Sequence, residues 1–428
     1  MFFIVMIIAM AVLVTVVIIR NSSGIEQESV KKRNDETGIK MSWWGNDSRH
    51  KYTMEGIDIF KENNPDINVE YRYGEWSGYE KRTKVWMESH TEADVMQINY
   101  AWLEEYSNDG KGFYDLNELS DYIDLNNFTE DELAYGIKNG KLNALPIAMN
   151  THTFYYNQDV LDKYGLTVPK TWDDIIDMGK VLAEHDLYVL GMSKKQLFLM
   201  LVAYYEQTYG EKVFKEDGSL NIDADDLAHI LEFYKEMIDE HALCPIDVFD
   251  RNKYMSGEIA GTMCWISDTK IYCDGLAETG AKVTRVAYPK ASGAKYSGWY
   301  IKPATMWAIS AETAHPKEAA MLLNYLLNDP AMARLQKTEK GVPVSDAAVK
   351  ALEGEGLFDT NEYKAMQEMM EHQEELYLMI PNMENEKIID VFKSEADEYL
   401  FDKMSLEECA QNTYAAMKEI ADGKTPEE

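Results

Sequence analysis

Basic residues are scarce in this sequence: 42 Lys and Arg stand against 75 Asp and Glu, a formal charge of −33. A surface of that sign repels phosphate backbones and anionic headgroups, which excludes nucleic acid as a partner; the one compact basic run is Lys31-Lys32-Arg33. Cysteine is scarcer still. Cys244, Cys264, Cys273 and Cys409 are widely spaced and show neither CxxC nor a zinc spacing, so they make no ligand set. Cys264 and Cys273 are near enough in sequence to pair, but isolated buried thiols are the better reading. The eight histidines contain no HExxH and no pair at i, i+4, and GxGxxG, GxxxxGK[ST] and GxSxG are missing. These absences remove the common nucleotide, zinc-hydrolase and serine-hydrolase signatures, and no cofactor or metal is expected.

Weaker patterns carry little. Ser48-Arg49-His50-Lys51 and Ser292-Gly293-Ala294-Lys295 match SxxK, but neither SDN nor KTG accompanies them, and so short a pattern arises by chance. Asp217, Asp223, Asp225 and Asp226 lack the alternating ligand order of a calcium loop, and helix capping explains them better. With 75 acidic residues, a carboxylate pair for glycoside cleavage can always be imagined, so the sequence gives that mechanism no support.

A chain of 428 residues exceeds what one core usually serves, so two domains are expected. Residues 2–19 are apolar apart from Thr15, close to the roughly 20 residues that span a bilayer. No small-residue cleavage site follows and no cysteine precedes Cys244, so residues 1–19 read better as an uncleaved anchor than as a removed signal peptide. The lack of Lys or Arg before the run counts against that orientation. Residues 20–37 are polar, without apolar periodicity, and read as a flexible linker.

Beyond the linker, Ile39 to Trp44 predicts a strand, and Met54, Ile57 and Phe60 predict a helix that Asn63-Asn64-Pro65 stops. Ile67, Val69, Tyr71 and Tyr73 alternate with polar residues as a second strand; a helix through Val85-Trp86 and a strand at residues 93–100 follow. That alternation implies a largely parallel sheet covered by helices. Later helices are predicted over 223–238, 316–327 and 361–378, with Ser405 to Glu408 as a capping box opening the last one.

The informative constellation is aromatic. Trp43-Trp44-Gly45-Asn46-Asp47-Ser48-Arg49-His50 falls where the first strand ends, the place where open α/β sheets put ligands. Two tryptophans exposed in such a loop are costly unless they touch something. Carbohydrates offer flat CH faces and a rim of hydroxyls, so their sites need aromatic platforms beside groups that donate and accept hydrogen bonds. Trp44, Asn46 and Arg49 supply that mixture; Trp76 in Glu75 to Tyr79, and Asn99 and Tyr100 in Gln97 to Trp102, repeat it after the next two strands. Any single Trp is more often core than platform, but joint placement at strand ends favours a site. The basic triplet Arg49-His50-Lys51 in an acidic chain, with arginine able to grip a carboxylate bidentately, points to a sugar that carries uronic acid groups. A surface ion pair of little worth is the plainer role for Arg49.

Several ordered segments share a pattern: Trp43-Trp44-Gly45, the Gly78-Tyr79 turn, Ala93-Asp94-Val95, Phe154-Tyr155-Tyr156-Asn157 leading to Tyr164-Gly165-Leu166, and Pro169 to Asp173. With Tyr254 to Met263 and Gly298 to Ser310, the body from Ile39 to Lys424 resembles the solute-binding proteins of carbohydrate ABC transporters, the group containing maltose-binding protein. The resemblance implies an α/β fold of two lobes, the type II periplasmic-binding-protein-like fold, with a ligand cleft between lobes joined by a hinge. It puts residues 38–147 and 268–312 in one lobe, and 148–267 and 313–428 in the other. It makes Trp44, Asn46, Arg49, Trp76, Asn99 and Tyr100 ligand contacts of the first lobe. Asn150 would lie by the crossing, Trp265 would face the cleft, and Trp299 would stack on a sugar, with hinge packing as the competing role for both tryptophans. The implied protein is an extracytoplasmic monomer, no enzyme, that captures an oligosaccharide and passes it to ABC permease subunits. Aromatic platforms alone also permit a glycosidase or lyase, and an uncleaved anchor permits a sugar-sensing ectodomain.

Overall fold

The computed structural model describes residues 37–286, 288–371 and 375–422. The expected anchor at 1–19 and the linker up to residue 36 lie outside the described residues. Among those described, no helix is long and apolar enough to cross a membrane.

The chain divides into two compact units, each discontinuous. One takes the N-terminal side through Ala148 and returns with Thr305–Glu355; the other holds Met149–Ala304 and the chain from Gly356 onward. This corrects two expected segments. Residues 268–304 belong to the second unit, because strand Val283–Val286 pairs antiparallel with Phe154–Asn157. Residues 313–355 belong to the first, because their helices pack on the helix that follows the opening strand. There Phe60 meets Tyr325 at 5.4 Å between ring centroids, and a Cβ at Gly56 would fall 2.5 Å from the Met332 sulfur. Glycine at 56 leaves room there for the Met332 thioether.

In the first unit, β1 (Thr37–Trp44) pairs parallel with β2 (Ile67–Gly74) and with β3 (Val95–Ile98). The later part of a long strand, Trp299–Ile309, closes the sheet antiparallel to β3 with Trp307 opposite Gln97. Ile39, Met41 and Trp43 are buried and so is Ser42, the two-sided cover expected of parallel strands. Helix α1 (Asp47–Asn63) starts at Asn46, whose side chain accepts the Arg49 amide, and ends at Asn64 before proline. Helix α2 (Trp76–Glu88) follows β2, and α3 (Trp102–Ser107) follows β3.

The second unit is built on a four-stranded sheet of β4 (His152–Asn157), β5 (Tyr188–Leu190), β6 (Ile259–Trp265) and β7 (Val283–Val286), in the order β7-β4-β6-β5. Helices supply its main core. The helix over Ala224–Asp239 buries Leu227, Ile230, Leu231 and Tyr234, and Asp223 and Asp226 cap it reciprocally. No group of acidic, His or Cys residues among the described residues is placed to hold a metal ion. Gly298 is required by shape: its φ is +70°, and a Cβ there would sit 2.7 Å from Ala203. Of the helix predicted over 361–378, Asn361–Glu371 is helical, and Leu376–Leu378 is a strand paired parallel with Trp299–Ile301. Helical spacing is legible locally, whereas a three-residue strand exists only because a partner edge is present. All four cysteines are free and buried.

Candidate ligand-binding site

The C-terminal ends of β1 and β2, and the turn after β3, bring the expected aromatics together. Trp44, the last residue of β1, meets Trp76, the first of α2, edge-on at 5.0 Å. Trp76 stacks on Trp102 at 5.7 Å with planes 16° apart, and Trp102 stacks on Tyr79 at 6.0 Å. Trp44 and Trp76 are half-buried and Trp102 is buried beneath them, so two rings present surface and a third backs them. The Tyr79 hydroxyl fixes the floor by donating to the Gln97 carbonyl at 3.0 Å and meeting the Ser42 hydroxyl at 2.9 Å. Tyr100 packs on the rim of the same cluster, and burial pushes its phenol up to about 12, so its hydroxyl stays protonated. Asn99 spends its side-chain oxygen on the Ala101 amide at 3.0 Å, which leaves its NH₂ as a donor.

The residues around Arg49 differ from the sequence reading in two ways. Trp43 is fully buried within the strand; it stacks on Tyr73 at 5.2 Å and donates its indole N–H to His50 Nδ1 at 3.2 Å. Only one tryptophan of the pair is therefore a platform, because successive strand residues point to opposite faces. Burial and the nearby Lys340 and Arg49 charges outweigh Asp47 and Glu75 and lower the His50 pKa, so the ring is neutral and the triplet carries two charges. Arg49 donates through Nε and Nη2 to the Glu339 carbonyl at 3.0 and 2.6 Å. Asn46 is exposed and committed to capping α1.

In the second unit, Asn150 exchanges two hydrogen bonds with Ser267, at 3.0 and 3.2 Å, which locks the turn after Trp265. Trp265 packs on His152 at 3.6 Å between ring centroids with planes 30° apart, and the Lys302 ammonium lies 4.7 Å from its centroid. Lys302 in turn is ion-paired with the buried Glu384. Burial and the Lys302 and Lys195 charges hold His152 well below its usual pKa. Trp299, expected to stack on a sugar, is 4% exposed in the core and packs on Tyr288 at 4.4 Å. Sequence reading quoted Trp102 only as part of a run and missed Lys340, Gln97, Trp307, His152 and Lys302. Lone residues of those types carry no pattern.

Known proteins resemble this chain in sequence and fold. A family model described as bacterial extracellular solute-binding protein matches residues 55–370. A periplasmic oligogalacturonide-binding protein of Yersinia enterocolitica, solved with saturated digalacturonic acid, is 31% identical, with a TM-score of 0.82 over 91% of this chain and 99% of that one. A periplasmic solute-binding protein of Pectobacterium atrosepticum is 28% identical, with a TM-score of 0.84 over 90% of this chain and 99% of that one. The arabinooligosaccharide-binding protein of Bacillus subtilis is 24% identical over 236 residues, 52% of each chain. A binding protein of Brucella abortus is 26% identical over 196 residues, 44% of this chain and 47% of that one. The chain spans about half the length of the curated relatives it matches. The family match, with a likeness above 30% identity across nine-tenths of the chain, means that this protein belongs to the bacterial extracellular solute-binding proteins.

Proposed function

We propose that this protein captures an oligosaccharide on the outer face of the cell membrane and hands it, unaltered, to the permease subunits of an ABC importer. The observation that carries this reading is the ring cluster of Trp44, Trp76 and Trp102 at neighbouring strand ends, with Tyr100 and Asn99 beside it. Half-buried indoles offer flat apolar area to sugar CH faces, and the adjacent donors address hydroxyls. The oligosaccharide ligands named for the Yersinia and Bacillus relatives support the same class. In this reading the protein acts as a monomer and makes no covalent change to its ligand, and residues 1–19 export or anchor it. Isothermal titration with a panel of oligosaccharides and amino acids tests the proposal. Saturable binding of a sugar recovered intact is expected; binding confined to amino acids or peptides, or release of shorter sugars, would sink it.

A further inference from the structure

We infer that Lys340, together with Gln97 and Trp307, forms an anion-binding end of the sugar site in the first unit, and that the captured sugar carries a ring carboxylate. This rests on the oligosaccharide reading above and narrows it to acidic sugars. Lys340 is 2% exposed, donates to Gln97 Oε1 at 2.8 Å, and holds its ammonium 4.9 Å from the Trp307 ring centroid. Gln97 and Trp307 stand directly opposite each other in the antiparallel pair, so their side chains share a face.

The donors in this cluster outnumber the acceptors. A lysine ammonium has three N–H groups, and one goes to Gln97 Oε1. The amide nitrogen of Gln97 and the indole nitrogen of Trp307 are buried without a hydrogen-bond partner. Among the described residues, the charged group that acts on Lys340 is another cation, Arg49, and no carboxylate pairs with it. Buried polar groups and charges without partners are costly, so a cluster of them calls for a partner such as a water, an ion or a ligand. The second unit shows what a purely structural buried lysine looks like: Lys302 comes with its own carboxylate, Glu384. Lys340 lacks only that carboxylate. An acceptor-rich, negatively charged ligand group satisfies the ammonium, the amide and the indole together, which a neutral hydroxyl cannot do. The cluster also lies toward the C-terminal ends of the strands that carry the aromatic platform, since Gln97 is one residue from the end of β3, on the face opposite Met96 and Ile98, which pack with the platform rings.

Calorimetric titration of the protein with digalacturonic acid and with its neutral methyl ester, repeated on Lys340→Met and Lys340→Gln, tests the assignment. The native protein is expected to prefer the acid over the ester by about 10- to 150-fold, the usual worth of a hydrogen-bonded charge. Both variants should lose that preference while keeping the affinity for the ester. Equal binding of acid and ester by the native protein, or binding of neutral oligosaccharides only, overturns the acidic-sugar assignment and leaves the oligosaccharide reading standing. Undiminished acid affinity in a folded variant removes Lys340 from the site. The acid-against-ester comparison needs no variant, so it decides the ligand's charge class even if both substitutions prevent folding. Silence of the native protein toward every sugar overturns both readings.

Discussion

Each unit buries a lysine ammonium against an indole, but the two are treated oppositely. In the second unit Lys302 lies over Trp265 and is ion-paired with Glu384, and Lys195 stands 3.8 Å from the same carboxylate. In the first, Lys340 lies over Trp307 with an amide oxygen for its partner and Arg49 for its charged neighbour. Both lysines have their pKa lowered by burial; Glu384 opposes that at Lys302, whereas Arg49 adds to it at Lys340. The difference separates a charge kept for architecture from one kept for a ligand. A structural charge is neutralised inside the fold, because leaving it bare would lower stability in every state. A charge reserved for a ligand is left bare until the ligand arrives.

Breaking the complete pair should have the largest effect. Glu384→Gln strands Lys302 in the interior and is expected to cost about 3–5 kcal/mol of unfolding free energy in urea titration. Replacing both members by Met and Leu should restore most of it, since removing a buried pair together is nearly neutral. Lys340→Met should do the reverse of Glu384→Gln, leaving stability unchanged or raising it by about 1 kcal/mol or more in the same urea titration. Destabilisation on the scale of Glu384→Gln would mean that Lys340 is structural after all.

The platform comes next. Trp76→Ala should weaken sugar binding by about 2 kcal/mol, the size of a central aromatic contact, with little change in melting temperature. The same substitution at Trp299, a core residue, should lower stability by about 3–5 kcal/mol instead. Calorimetry and thermal melts of the two variants separate a surface that binds from a ring that packs.

The pH response sharpens the pair comparison from another side. Although burial opposes it, the Lys302 and Lys195 charges hold Glu384 below its usual 4.5. A carboxyl whose folded pKa is depressed stabilises the fold above its unfolded pKa and loses that contribution as pH falls through the folded value. Acid titration of stability should therefore show a loss below about pH 4.5 that is absent in Glu384→Gln. The smallest effect is expected at Asn46→Ala, which removes the cap of α1 and should cost about 1 kcal/mol in urea titration.

Much of both units was legible in residue order. The alternation of Ile67, Val69, Tyr71 and Tyr73, the helix stop at Asn64-Pro65 and the capping aspartates of 223–226 are local signals, and the strands and helices sit where those signals put them. The aromatic runs after three strands were legible too, because parallel strands bring their ends to one edge. Trp43 against Trp44 was not: both read as exposed where the strand ends, but the alternation of β1 buries one and half-exposes the other. His50 read as a charge, yet burial beside Lys340 and Arg49 keeps it neutral.

The sequence by itself determined the α/β alternation, the acidic surface, the absence of common catalytic signatures and the family to which the chain belongs, since these rest on periodicity, composition and short ordered segments. Tertiary structure alone decided the rest. It placed 268–304 with the second unit by pairing Val283–Val286 on β4, and 313–355 with the first by docking helices on Gly56. It also put Lys340, 243 positions from Gln97, on that amide with no carboxylate beside it. A solitary lysine looks the same along the chain whether it is solvated, paired or bare. What it does is set by which groups folding brings within hydrogen-bond reach and by how much water folding removes.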